Sequence, residues 1–351
     1  MMKIGEKKAG VIGVYGKGPD FTTGQAVKCL ELISWLQEKY GQEQIVVVNT
    51  WRWKRNPLRL LFRLVNTFLG CKNVIMLPAS NGIRIFAPLC FVLKKITGRP
   101  VHYVVIGGWL AELLKRRPFM KRFIASYDGV YVETKDMVKK LERLGVTNGV
   151  YLPNFRKLSD EDPVYRDFSA KLPLKVCIYS RVVREKGIED GIQIVRQANQ
   201  TEGKMVFQLD IYGKIHREYE LEFRRLMEEN RDIAEYKGVK EANEGEETLK
   251  PYFALLFPTY YSGEGFAGTV LDAFAASIPV VANDWKYIRE MVQDGENGLI
   301  YPFRDVMSAA AALCRLKHDE NLYRYIQEGC RKSAMMYRTE NVLSLLEQRM
   351  R

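Results

Sequence analysis

The sequence predicts an α/β protein of two doubly wound, Rossmann-like domains, and three observations predict it. Its apolar runs are short and rich in Val and Ile, they alternate with helix-length amphipathic segments, and this rhythm breaks once and then restarts. Runs that are apolar throughout are what parallel strands covered on both faces require, and strand–helix alternation implies right-handed crossovers. A chain of 351 residues also exceeds one ordinary core, so two domains are expected.

In the first half, strands are expected near 10–15, 44–49, 73–78, 101–106, 129–133 and 149–152, with helices such as 24–39 and 135–144 between them. Charge, Pro and a lack of apolar residues mark 158–172 as a linker, the break beginning near 156. The pattern resumes with strands at 174–180, 205–212, 253–258, 278–282 and 298–301, and helices near 187–200, 217–230 and 268–276. The expected division is a first domain over 1–157, a second over 173–334, and a terminal helix over 335–351 that packs back on the first. Open sheets of this kind bind ligands beyond the carboxyl ends of their strands, which directs attention to the loops there.

Bulk composition narrows the function. Residues 1–157 hold 27 Lys and Arg against 10 Asp and Glu, whereas the remainder holds 27 against 32. A basic first half favours an anionic partner: a phospholipid surface, a lipid diphosphate or nucleic acid. Nucleic acid is the weakest of these, because no zinc finger, helix-turn-helix or aromatic ribonucleoprotein motif is present. A surface serving only solubility is the plain alternative. No apolar run is long enough to span a bilayer, and the N-terminus does not read as a signal peptide. The six cysteines are scattered without paired spacing, as expected of buried thiols in a reducing compartment, so the cytoplasm is the expected location.

Three loops in the second half carry candidate chemistry. SRVVREKG (180–187) follows a strand and offers Arg181 and Lys186 just before a helix, where fixed cations and amide dipoles stabilise a departing diphosphate. Gly213, ending the strand 205–212, permits close backbone approach of a ligand, although a strand ending in Gly suits any α/β protein. The third loop, FPTYYSGEGFAGTVLDA (257–273), places Glu264 in a glycine-rich turn and Asp272 one turn into a helix. Small residues let backbone amides reach a diphosphate, and carboxylates accept bidentate bonds from vicinal hydroxyls. One acid suits a hexose and the other a ribose; a helix-capping role explains either acid singly but not the set.

These residues resemble glycosyltransferase family 4, of the GT-B fold. Its pattern E-G-F-G-L-P-x-L-E-A-x-A-x-G-x-P-V is similar to EGFAGTVLDAFAASIPV (264–280), and its V-x-D-G-x-N-G-L to VQDGENGL (292–299). Its R-x-x-x-x-K-G matches Arg181 through Gly187, and the likeness spans most of 174–302. The resemblance implies two Rossmann-like domains facing a central cleft and a retaining, metal-independent hexosyltransferase with a nucleoside-diphosphate sugar, UDP first, as donor. No other cofactor is implied. It assigns Arg181 and Lys186 to the donor diphosphate, Glu264 to the transferred sugar and Asp272 to the ribose. The amides of Phe266, Ala267, Gly268 and Thr269 would cradle the phosphates, and Glu290 matches an acid of less defined role.

The departures are specific. Asp272 is one methylene shorter than the family's second glutamate, and Ala267 and Ser277 replace glycines. Where many members carry a histidine near the reacting sugar, this chain has Ile106 and Gly107; His102, at the start of that strand, is expected to be structural. The acidic run Asp160-Glu161-Asp162 sits in the linker rather than after a strand, a poor metal site, and no metal is expected.

In the first half, GKGPDFTTGQ (16–25) lacks the dinucleotide fingerprint spacing; in this architecture it places Gly16, Thr23 and Gly24, with Gly107, on the acceptor side. The segment WRWKRNPLRLLFR (51–63) continues into a helix with apolar residues at 58, 61, 62, 65 and 69 among cations. With the cluster Lys115, Arg116, Arg117, Lys121 and Arg122 it suits the headgroup layer of an anionic inner leaflet. Packing of that apolar face inside the domain is the alternative. The expected acceptor is a glycan or polyprenyl-diphosphate-linked glycan in cell-surface polysaccharide synthesis. A non-catalytic nucleotide- or anion-binding protein, or a sugar-nucleotide epimerase or phosphorylase of similar architecture, is the rival reading.

Overall fold

A computed structural model describes residues 6–16, 18, 21, 23–159, 172–241 and 244–351. Asp160, Glu161 and Asp162 and nearly all of the expected linker lie outside the described residues, as do Lys17, Pro19, Asp20 and Thr22 of the first glycine-rich loop. The chain forms two compact units, Met1–Lys157 with Arg338–Arg351, and Leu158–Tyr337.

The first unit runs β1 (Lys7–Gly13), α1 (Gly24–Tyr40), β2 (Ile45–Asn49), α2 (Pro57–Gly70), β3 (Cys71–Met76), α3 (Ile83–Thr97) and β4 (Val101–Val104). It continues with α4 (Leu110–Arg116), α5 (Met120–Ile124), β5 (Gly129–Val132), α6 (Lys135–Arg143) and β6 (Gly149–Tyr151). The six strands are parallel, in the order β2-β1-β3-β4-β5-β6. Strand β1 begins three residues earlier than its apolar run suggests, because Lys7 and Ala9 already pair with Cys71 and Asn73 of β3. Helix α2 starts where Asn56 caps it, its side chain accepting from the Arg59 amide, with Pro57 supplying a helix-ready first residue. It turns Leu60, Leu64, Thr67 and Phe68 inward at helical spacing.

Right-handed crossovers then fix the layers. The steps β2→β3, β3→β4 and β4→β5 all move the same way across the sheet, so α2, α3, α4 and α5 cover one face. Helix α1 connects β1 to β2 in the opposite direction and covers the other face, where Leu32, Trp35 and Leu36 share a core with Val342, Leu343 and Leu346.

His102 in β4 is fully buried, and its Nδ1 lies 3.0 Å from the Tyr131 hydroxyl. Its ring is a core element, as expected. Burial pushes the imidazole down to about 4, with Asp128 pulling it up and Lys94 pushing it down. Because the folded-state value is depressed, the unfolded chain binds the extra proton first, so stability falls as pH drops from the ordinary value of 6.5 towards 4. Replacing His102 with Phe should flatten this part of the stability profile, measured by urea unfolding at pH 7, 5.5 and 4.5. An unchanged slope would place the acid sensitivity elsewhere.

The second unit contains β7 (Leu174–Tyr179), α7 (Ile188–Thr201), β8 (Phe207–Tyr212), α8 (Glu220–Glu229), β9 (Ala234–Gly238), α9 (Gly245–Leu249) and β10 (Ala254–Phe257). It is completed by α10 (Gly268–Ala275), β11 (Val280–Asn283), β12 (Gly298–Tyr301), α11 (Val306–His318) and α12 (Glu320–Met336). Its strands are again all parallel, in the order β12-β11-β10-β7-β8-β9. The order reverses between β7 and β10, which is where such sheets open a crevice at their carboxyl ends. The sequence break expected at 334/335 falls at Tyr337–Arg338, because α12 continues through Met336; α13 (Thr339–Glu347) follows and belongs to the first unit.

Candidate active site

The loops after β7 and β10 flank that switch point, and their side chains meet. Lys186 Nζ lies 2.5 Å from Glu264 Oε2, with side chains only 10% and 13% exposed. The Thr259 hydroxyl donates to the same Glu264 oxygen at 2.9 Å, and the Tyr260 amide donates to the Glu185 carbonyl at 2.8 Å. The Arg181 guanidinium lies 5.2 Å from the centre of the Tyr261 ring and Lys186 Nζ 5.4 Å, so one aromatic ring serves two cations.

Backbone requirements explain how the sequence builds this. Gly187 ends the lysine loop at φ +73°, and a Cβ there would sit 2.3 Å from the Pro258 carbonyl oxygen. Gly213 has φ +131°, and its Cβ would fall 1.7 Å from the Ser180 carbonyl oxygen. Both glycines let the loops pack edge to edge, and any larger residue would push Arg181 or Lys186 out of place. Gly213 thus supports the Arg181 loop from beside it.

Helix α10 opens at Gly268 with Ala267 as its cap, a residue that makes no side-chain cap, and no acid occupies its first turn. Phe266 turns its ring inward against Tyr337, 5.0 Å between centroids. The Ala267 amide donates to Met291 Sδ at 3.2 Å, which commits one of the amides expected to cradle phosphate. The amides of Gly268 and Thr269 lie in the first helical turn, which has no backbone acceptor of its own. Thr269 Oγ1 is buried and has no hydrogen-bond partner among the described residues. An uncapped helix start and an orphan hydroxyl follow directly on the loop whose Tyr261 and Glu264 meet Arg181 and Lys186, an arrangement suited to an anion.

Asp272 is turned elsewhere. It is buried in α10, and a Cβ on Gly245, at the start of α9, would lie 2.6 Å from its Cγ. The two acids of the motif therefore do separate work, Glu264 towards Lys186 and Asp272 towards α9. Glu290 is half-buried in the short turn after β11. Ser277, where the family pattern has glycine, takes φ +53°, a left-handed value that explains why glycine is usual there.

Other contributors were not singled out from the sequence. Asn283, at the end of β11, donates to the Thr259 carbonyl at 3.0 Å and accepts from the Arg304 amide at 2.9 Å. Arg304 makes a bidentate pair with Asp190 at 2.9 Å for both bonds, and covers the Tyr260 ring at 4.6 Å. This chain braces the loop that carries Glu264. The Trp285 indole and Lys286 ammonium donate to the carbonyls of Tyr261 and Ser262. The only advance signal was an Asn closing a Val-Val-Ala strand.

In the first unit, Thr23 caps α1 by accepting from the Ala26 amide, Gly24 is the first helical residue, and Gly16 packs against Phe21. Gly107 follows β4 at φ +85°, and its amide donates to Glu133 Oε2 at 2.9 Å. Glu133 Oε1 accepts from Lys28 Nζ at 2.9 Å, an ion pair with side chains 1% and 4% exposed. This buried pair ties α1, the end of β5 and the Gly107 loop together, and its partners, 105 residues apart, share no local motif. All six cysteines are buried free thiols. Among the described residues no group of three or more His, Cys, Asp or Glu side chains is placed to hold a metal ion.

Residues 166–333 match the family model described as glycosyl transferases group 1. The amylovoran biosynthesis glycosyltransferase AmsK of Erwinia amylovora is 24% identical over 183 residues, 51% of this chain and 43% of that protein. An exopolysaccharide phosphotransferase of Streptomyces coelicolor is 36% identical over 87 residues, 24% of this chain and 9% of that protein. The chain spans less than half the length of these curated relatives. Among solved structures, HepE of Anabaena in complex with UDP superposes with TM-score 0.72 at 12% identity, over 97% of this chain and 98% of that one. The fold is GT-B. The segment that matches the group 1 glycosyl transferase model is the one that carries the Lys186 and Glu264 loops.

Proposed function

We propose that this protein is a retaining family 4 glycosyltransferase that moves a hexose from a nucleoside-diphosphate sugar, UDP foremost, to a glycan or polyprenyl-diphosphate-linked glycan during cell-surface polysaccharide synthesis. The observation that carries this reading is the approach of Lys186 and Glu264 at the switch point between β7 and β10. When the glycosidic bond breaks, negative charge grows on the departing diphosphate. Arg181, Lys186 and the first-turn amides of α10 would stabilise that charge more in the transition state than in the ground state. Glu264, freed from Lys186 as the phosphates take its place, would accept hydrogen bonds from the sugar hydroxyls. Asp272 would serve the ribose with the loop before α9. Front-face attack, with the leaving phosphate assisting acceptor deprotonation, asks no base of the first unit, where Ile106 and Gly107 stand in place of histidine, and no metal. Gly16, Thr23, Gly24 and Gly107 would line the acceptor side, and the protein would work peripherally at the inner face of the plasma membrane. UDP in the HepE complex and the polysaccharide names of the relatives support the donor and pathway class.

A panel of UDP-, GDP- and ADP-sugars tests the reading. One donor should be bound and slowly hydrolysed by the wild-type chain, with the released sugar keeping its anomeric configuration. Binding to none of them would remove the glycosyltransferase assignment, and inversion would remove the retaining mechanism.

A further inference from the structure

Nine of the nineteen large apolar side chains exposed among the described residues fall between Trp51 and Phe119 of the first unit. They are not scattered over it. The helical layer of α2, α3, α4 and α5 on one face of the sheet carries Leu58 (78% exposed) and Phe62 (66%) on α2, Val92 (50%) and Ile96 (74%) on α3, and Phe119 (60%) just before α5. The same stretch, residues 50–125, contains fifteen Lys and Arg and one acid, Glu112. Arg59, Arg84, Lys95 and Arg122 are exposed on these helices beside the apolar tips. The layer is internally braced: Phe91 of α3 packs on Phe123 of α5 at 5.3 Å, with Lys95 and Arg122 each 5.9 Å from its ring.

We infer that this helical layer is the face that docks on an anionic lipid bilayer, with the outer side of α3 entering the headgroup region alongside α2. The inference rests on the membrane reading above and deepens it by naming the surface, most of which lies outside the segment 51–63. Single apolar tips separated by cations match the chemistry of that boundary. Leu, Ile and Phe reach towards acyl chains while Lys and Arg meet lipid phosphates. A protein groove would ask for a contiguous apolar patch instead, and exposed aliphatic tips contribute nothing to a nucleic-acid backbone. Among the described residues no helix is long and apolar enough to cross a membrane, so such docking would be to one leaflet.

The test uses the full-length chain and phosphatidylcholine vesicles with and without phosphatidylglycerol. The wild type should sediment with the anionic vesicles, and high salt should release it in part. The double variant Val92→Glu/Ile96→Glu and the charge variant Arg84→Glu/Lys95→Glu should each partition about tenfold more weakly while keeping the wild-type circular dichroism and melting temperature. These positions are solvent-facing, outside the donor site, so hydrolysis of a soluble donor should be unaffected. Wild-type binding that both variants retain would overturn this face and leave the membrane reading standing. No binding of the wild type to either vesicle, or binding only to RNA, would overturn both, whatever the donor panel shows.

Discussion

Replacing Lys186 by alanine is expected to lower donor turnover by roughly 3 kcal/mol, on the order of a hundredfold or more, with little change in melting temperature. The size follows from what the ammonium would do: it is held in a mostly buried pocket at the carboxyl edge of the sheet, where a fixed charge acts through less water than at the surface. The small effect on stability follows from what remains. Glu264 keeps the Thr259 hydroxyl, and its partly exposed site lets water replace the ammonium. Glu264→Gln should behave differently, because it preserves shape and most hydrogen bonding to a sugar but removes the charge that pairs with Lys186. Steady-state hydrolysis of the accepted donor by both variants checks this. A Lys186→Ala protein with near wild-type turnover would mean that the pair is only a brace between two loops.

The second large effect is structural and lies in the other unit. Truncating Glu133 to alanine should cost about 3–5 kcal/mol, because Lys28 would be left charged and unpaired in a fully enclosed position. That is a large fraction of a typical folding free energy of roughly 5–15 kcal/mol. The loss should fall on the first unit, seen as faster amide exchange in α1 and β5. Combining Lys28→Met with Glu133→Gln should recover most of the stability, since no charge is then stranded and the glutamine carbonyl still accepts from the Gly107 amide. Urea unfolding of the three proteins decides it. A double variant as unstable as Glu133→Ala would show that the ion pair itself, rather than relief of a buried charge, holds the Gly107 loop.

Why the pair persists is then a question of positioning. Well-packed apolar residues would serve stability as well or better, yet the pair fixes one carboxylate between α1 and the loop after β4. Both elements belong to the proposed acceptor side.

Much of the fold was legible because parallel strands buried on both faces have few ways of being written. Runs such as IVVVN, CKNVIM and ALLF could be placed to within a residue or two. Strand β9 was missed because AEYKG is an edge strand with alternating exposed charges and no apolar run. The predicted helix 217–230 divides into a short tight turn, Arg217–Tyr219, followed by α8. In the site, the positions of Arg181, Lys186, Glu264 and the α10 start followed from local motifs. What pairs with what did not, since Lys186 and Glu264 are 78 residues apart, Lys28 and Glu133 105, and Arg304 and Asp190 114. Such contacts are set by strand order, and the order reversal between β7 and β10 is not written in either loop. The left-handed backbone of Arg304 likewise has no local signature in its sequence.

In the proposed function a nucleoside diphosphate sits at the switch point of the second sheet, against the Lys186–Glu264 loops and the start of α10. Amide hydrogen exchange of the full-length protein with and without UDP tests this most directly. Protection confined to residues 180–187 and 259–271, and absent in Lys186→Ala at the same UDP concentration, is the predicted result. Binding with protection elsewhere, in the first unit or along α12, would contradict it.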